Sequence, residues 1–86
     1  MEKRIICKVH DNNEVIIKVG VEREAIYPVI VVWNEIKRGA HTFYTFENNK
    51  KASVKARTSS TGRKYLTTSP DGVTENNLDE LTTCPV

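Results

Sequence analysis

The sequence predicts an α+β domain: a β-hairpin, one helix at about residues 28–38, a three-stranded antiparallel meander and a short C-terminal helical turn. Three observations lead to this order. Two alternating apolar runs flank a polar turn, an apolar pattern of helical period follows them, and three more alternating runs come after it. A chain of 86 residues supplies one modest core, so residues 1–86 are predicted to form a single small domain.

The first two apolar runs predict the hairpin. Ile5, Cys7 and Val9 lie at alternate positions, although Ile6 interrupts the pattern, and the polar residues 11–14 follow as a turn. Residues 15–21 then alternate again. Two runs of period two on either side of a short polar loop are typical of paired antiparallel strands.

The helix is predicted from its period and from both of its ends. Val29, Val32, Trp33 and Ile36 recur at helical spacing, so they are expected to pack on the sheet. Pro28 suits the first helical position, and Gly39 suits the position just past the end. The β-branched residues among 29–32 have strand propensity, so a strand within residues 21–33 remains the alternative.

Side chains alternate along three segments that are separated by polar turns, namely residues 41–47, 52–58 and 63–68. This pattern predicts the three strands of the meander. On its first strand, Tyr44 and Phe46 are expected to lie opposite His41 and Phe43. Asn77, with an acidic residue three positions later, predicts a short helical turn at about residues 78–81.

The last third of the chain also carries a family pattern. It reads Lys64-Tyr65-Leu66-x-Thr68-x-x-Asp71-Gly72, then Asn76-Asn77-Leu78, Leu81 and Cys84. This pattern resembles the C-terminal signature of a small bacterial family of uncharacterised proteins, known only as a domain of unknown function. An opening Ile5-x-Cys7-x-Val9 strand and a Gly39-x-x-x-Phe43 segment extend the resemblance over most of the chain. The resemblance implies a shared fold and names no activity.

Location and cysteine state are predicted together. No apolar run reaches the length of a membrane span, and the N-terminus lacks the apolar core of a signal peptide, so a cytoplasmic location is predicted. In such a chain, Cys7 and Cys84 are expected to be buried free thiols rather than a bridge, and their proximity is left open. Cys7, His10, His41 and Cys84 could ligate a metal, but the second closely spaced pair of a zinc site is missing. No metal and no other cofactor is therefore predicted.

Charge is segregated along the chain. Residues 36–65 hold eight basic side chains and one acidic, whereas residues 66–86 hold four acidic and no basic side chains. Such asymmetry is typical of a surface for nucleic acid or for an acidic partner. An acidic tail folded across the basic strands is the alternative.

These features predict a binding face without catalysis. The predicted face contains His41, Phe43, Lys55, Arg57, Arg63, Lys64 and Tyr65. No nucleophile motif or phosphate loop occurs, so no enzyme activity is expected. The leading hypothesis is a binding or adaptor domain for a protein partner, and the alternative is a module for single-stranded RNA or DNA. A solvated sheet face that resists aggregation would show the same pattern. The partner's identity, the oligomeric state and the biological process are not fixed by the sequence.

Overall fold

The computed structural model describes residues 2–13, 15–47, 49–68 and 81–85 and contains one sheet with one helix. The strands are β1 (Glu2–His10), β2 (Ile16–Val21), β3 (Ile26–Pro28), β4 (Thr42–Glu47), β5 (Lys50–Thr58) and β6 (Lys64–Thr68), and the helix is α1 (Val29–Arg38). No helix in the described ranges has the length and apolarity needed to span a lipid bilayer.

All six strands form a single mixed sheet in the order β3-β2-β1-β4-β5-β6. Every neighbouring pair is antiparallel except β1 and β4, which run parallel. The predicted architecture of a hairpin and a separate three-stranded meander is therefore wrong. Alternation shows which residues share a face, but it does not show which strand edge pairs with which, so the central parallel contact was missed.

An additional strand, β3, was also missing from the prediction. A tight turn at residues 22–25 reverses the chain after β2, and Arg23 adopts a positive φ of 65° there. The Val21 N–H donates to the Ala25 carbonyl at 2.9 Å, which closes the turn. A strand of three residues that ends in proline is too short to show an alternating pattern, so β3 could not be identified from the sequence. Pro28 is tolerated in it because β3 is an edge strand.

The helix prediction is confirmed, with α1 beginning at Val29 and ending at Arg38. Pro28 is the residue before the helix, and Gly39 takes the left-handed conformation after it, with φ 73°. The Gly39 N–H donates to the Ile36 carbonyl and the Ala40 N–H to the Glu35 carbonyl, both at 3.1 Å. These bonds satisfy carbonyls that the helix end would otherwise leave unpaired.

The core lies between α1 and one face of the sheet. Its buried members are Ile5, Val19, Val21, Val29, Val32, Phe43, Val54, Leu66 and Leu81, with Trp33 and Ile36 packed against them. The Trp33 indole N–H donates to the Arg57 carbonyl at 2.9 Å, which fixes the helix over β5. The predicted helical turn at residues 78–81 lies outside the described residues except for Leu81, which forms a buried bend.

Cys7 and Cys84 form a disulfide, so the expectation of two free thiols is wrong. Their Cα atoms lie 4.9 Å apart although 77 positions separate them in sequence. The chain end reaches β1 because the Lys8 N–H donates to the Thr82 carbonyl and the Cys84 N–H donates to the Lys8 carbonyl, at 3.0 and 2.8 Å. A local charge or spacing pattern cannot reveal such a long-range contact.

An irregularity in β1 sets the position of this disulfide. Ile5 pairs with Val21 but Cys7 pairs with Gly20, so Ile6 is an extra residue, as in a β-bulge. Ile5 therefore faces the helix with Val21, whereas Cys7 lies on the opposite face beside Gly20. A Cβ atom on Gly20 would collide with the Cys7 Sγ and lie 3.1 Å from the Cys84 Sγ.

We expect the disulfide and Gly20 to be energetically coupled. Replacing both cysteines by alanine should lower the free energy of unfolding by about 2–4 kcal/mol, because the unfolded chain gains freedom. Gly20→Ala should cost about 1–3 kcal/mol in the oxidised protein through overpacking. In the Cys7→Ala/Cys84→Ala background the same change should cost much less, because both sulfur atoms are gone. Urea unfolding of the four proteins measures this cycle, and additive effects would show that Gly20 does not contact the disulfide.

Candidate binding face

The face of the sheet opposite α1 carries an aromatic and basic surface on β1, β4, β5 and β6. Among the described residues, no helix or strand packs on this side, since α1 lies on the other. We call this surface the open face and define it by Arg4, Tyr44, Phe46, Lys51, Ser53, Lys55, Arg57, Arg63 and Tyr65.

Strand register decides which side chains belong to the open face. On β5, Ala52 and Val54 are buried toward the helix, so Lys51, Ser53, Lys55 and Arg57 project the other way. Arg57 pairs with Tyr65 on β6, Ser53 pairs with Tyr44 on β4, and Tyr44 pairs with Arg4 on β1. Directly paired residues share a face, so these rows continue one surface across four strands.

Each aromatic ring on the open face lies beside a basic group. The Lys51 Nζ is 4.6 Å from the centroid of Tyr44, and the guanidinium of Arg4 is 5.7 Å from that of Phe46. The guanidinium of Arg63 is 5.6 Å from the centroid of Tyr65. All three distances fall within the range of cation–π attraction. The surface therefore presents three pairs of one ring and one cation.

The open face is positively charged. Glu2 accepts a hydrogen bond from the Lys51 Nζ at 2.9 Å, and Glu22 lies 3.8 Å from Arg4. In contrast, Lys55, Arg57 and Arg63 form no ion pair with the described part of the chain. Unpaired cations on one surface create a potential that attracts anions.

The carboxylate of Glu2 raises the pKa of Lys51 above its ordinary value, because the hydrogen bond stabilises the ammonium form. Both side chains are exposed. Lys51 is therefore charged at neutral pH and is held beside Tyr44.

The structure places four of the seven predicted residues on the open face: Lys55, Arg57, Arg63 and Tyr65. Phe43 is buried in the core with 4% of its surface exposed. Lys64 lies on the helix side, with its Nζ 4.6 Å from the Trp33 ring. His41 lies before β4 at the end of α1, and its Nδ1 is buried without a hydrogen-bond partner among the described residues.

Five residues of the open face were not predicted: Arg4, Tyr44, Phe46, Lys51 and Ser53. The faces of β4 were assigned the wrong way round, because Phe43, Tyr44 and Phe46 are all aromatic and the alternation is ambiguous. Pairing with β1 settles the assignment, since Lys3 and Phe43 share the helix side. Only an independent prediction of the parallel β1–β4 pair could have identified Tyr44 and Phe46.

Comparison with known proteins adds family membership but no activity. A family model described as "Protein of unknown function (DUF3892)" matches residues 4–82, nearly the whole chain. This agrees with the expected resemblance to a domain of unknown function. No curated protein matched the chain. No solved structure matched it either.

We expect Glu2→Gln to lower the pKa of Lys51, because the change removes the carboxylate that stabilises the ammonium. Nuclear magnetic resonance titration of the lysine side chain measures the shift. Glu24→Gln is the matched control: it should leave Lys51 unchanged and instead lower the pKa of Tyr27, which donates to Glu24 at 3.0 Å. An unaltered Lys51 pKa in Glu2→Gln would mean that the pair does not form in solution.

Proposed function

We propose that this chain, which belongs to the DUF3892 family of proteins of unknown function, is a non-enzymatic domain that binds single-stranded nucleic acid on its open face. The observation that carries the proposal is the alternation of three rings with basic side chains on one exposed sheet surface. Rings can stack on bases of any sequence, and cations follow the phosphates between them.

The spacing of the rings supports a single strand rather than a duplex. Tyr44 and Phe46 are two residues apart on β4, and Tyr65 lies two strands away and four residues along the sheet. Strand geometry puts the Cα atoms of Tyr44 and Tyr65 about 16 Å apart. A flexible strand can reach all three rings with unpaired bases, whereas the bases of a duplex are already stacked on one another.

We expect variants of the open face to weaken binding to RNA and DNA octamers. Arg57→Ala should weaken binding and reduce the slope of log affinity against log salt by about 0.7, because one phosphate contact is lost. Tyr44→Leu should weaken binding about 5- to 150-fold while leaving that slope unchanged, because a stacked base is lost without a charge. Fluorescence anisotropy at several salt concentrations measures both effects.

Lys64→Ala is the matched control for these variants. It removes the same charge as Arg57→Ala and neighbours Tyr65, but Lys64 lies on the helix side over Trp33. Its octamer affinity should stay within about twofold of the unaltered protein. Equal losses in Lys64→Ala and Arg57→Ala would indicate attraction to net charge rather than a site, and an absence of binding at low salt would refute the proposal.

A protein partner is the second candidate, and the outer surface of α1 favours it. Ile30 and Val31 are adjacent and 43% and 39% exposed, so together they form an apolar patch on the helix surface. We expect Ile30→Glu/Val31→Glu to abolish capture of such a partner, while Arg57→Ala leaves capture intact. Affinity pull-downs measure both effects. Capture that survives in Ile30→Glu/Val31→Glu and is lost in Arg57→Ala would show that α1 is not the docking surface.

A cytoplasmic location remains a prediction, and the disulfide argues against it. Disulfides persist in oxidising compartments and are rare in most reducing cytoplasms. The disulfide also prevents Cys7 and Cys84 from acting as metal ligands in the oxidised protein, because cysteine binds metals as a thiolate and the two sulfur atoms are bonded to each other.

A further inference from the structure

A cleft opens beside the open face because β4 and β5 separate. The two strands pair only from Tyr44 and Ser53 toward the turn that joins them. Before Tyr44, β4 pairs with β1 instead, and after Ser53, β5 pairs with β6. The gap between them has a volume of about 670 Å³, and the end of α1 closes its inner side.

The cleft combines a basic rim with an apolar wall. Its basic lining residues are Lys37, His41, Lys55 and Arg57. The partly exposed Ile36 and Ala56 supply the apolar surface, with the buried Phe43 and Val54 behind them. Glu2 is the acidic residue among the lining residues, and its carboxylate is already bonded to Lys51. A ligand that fits this lining carries a flat apolar part and a compact anionic group.

The cleft and the open face are continuous. Ser53, Lys55 and Arg57 belong to both, so a strand lying over Tyr44 and Tyr65 passes the mouth of the cleft. His41 also lines the cleft, and its Nδ1 is buried without a hydrogen-bond partner among the described residues. Lys37 lines the cleft, and its Nζ lies 5.4 Å from the Trp33 ring.

We propose that this cleft receives the phosphorylated terminal nucleotide of a single strand whose other bases lie on the open face. The proposal rests on the proposed function and adds a substrate class to it, namely strands that end in a phosphate monoester. A terminal monoester carries more negative charge than an internal phosphodiester and has free oxygens for several donors, so it suits a rim of basic groups. The nucleoside packs against the apolar wall.

The test compares octamers that differ only in their ends. One pair has a 5′-phosphate or a 5′-hydroxyl with the fluorophore at the 3′ end, and a second pair has the reverse arrangement. We expect a phosphate at one of the two ends to tighten binding about tenfold. Lys37→Ala should remove this preference, because the change removes an ammonium that lines the cleft and lies outside the open face.

Arg38→Ala is the control variant for the cleft. It removes the same charge from the neighbouring helix position, but Arg38 does not line the cleft and instead pairs with Glu35. The end preference should survive in this variant. Thermal unfolding of each variant verifies that the domain is folded.

Two kinds of result would overturn the cleft proposal without affecting the proposed function, and a third would refute both. Equal affinity with and without the phosphate, or an equal gain at both ends, would refute a cleft for the terminus while binding on the open face stands. A preference that persists in Lys37→Ala would place the phosphate elsewhere. No binding of any octamer would refute both proposals together.

Discussion

The parallel contact between β1 and β4 joins two antiparallel halves into one sheet, and the rest of the structure depends on it. A parallel connection needs a long crossover, and the chain provides it through β2, β3 and α1. Because α1 must cross from one half to the other, it covers one face of the sheet, and within the described ranges no helix lies on the opposite face. The candidate site is therefore a consequence of the connection as much as of the residues on it.

The same edge of β1 is shared between two segments. Residues 2–4 pair with β4, and Lys8 pairs with the chain end near Thr83. The bulge at Ile6 lets β1 serve both faces, because it sends Ile5 into the core and Cys7 to the opposite side. The disulfide then fixes the segment around Cys84 against β1. It adds to the limited stability that a small core provides. Gly20 is needed because a side chain at that position would occupy the space of the sulfur atoms.

The open face shows how a small sheet can expose rings without a bare apolar patch. Each ring lies beside a cation, which limits the apolar surface that water meets. The same pairs are suited to a ligand with flat bases and regularly spaced anions. The same side chains can therefore serve solubility and ligand binding. For this reason the composition of the sequence does not show which of the two roles they have. The separation of β4 from β5 adds a concave site at the margin of this surface.

Local sequence patterns were sufficient to predict α1 and every strand except β3. The period of Val29, Val32 and Ile36, the proline before them and Gly39 after them define α1, because these signals act within one helix. Alternation likewise placed Lys55, Arg57 and Tyr65 on one surface, since β5 and β6 are adjacent in sequence and joined by a short turn. The folded structure was needed to establish the parallel β1–β4 pair, the outward direction of Tyr44 and Phe46, and the Cys7–Cys84 bond. These features depend on contacts between residues far apart in the chain, and local propensity carries no information about which distant edges meet.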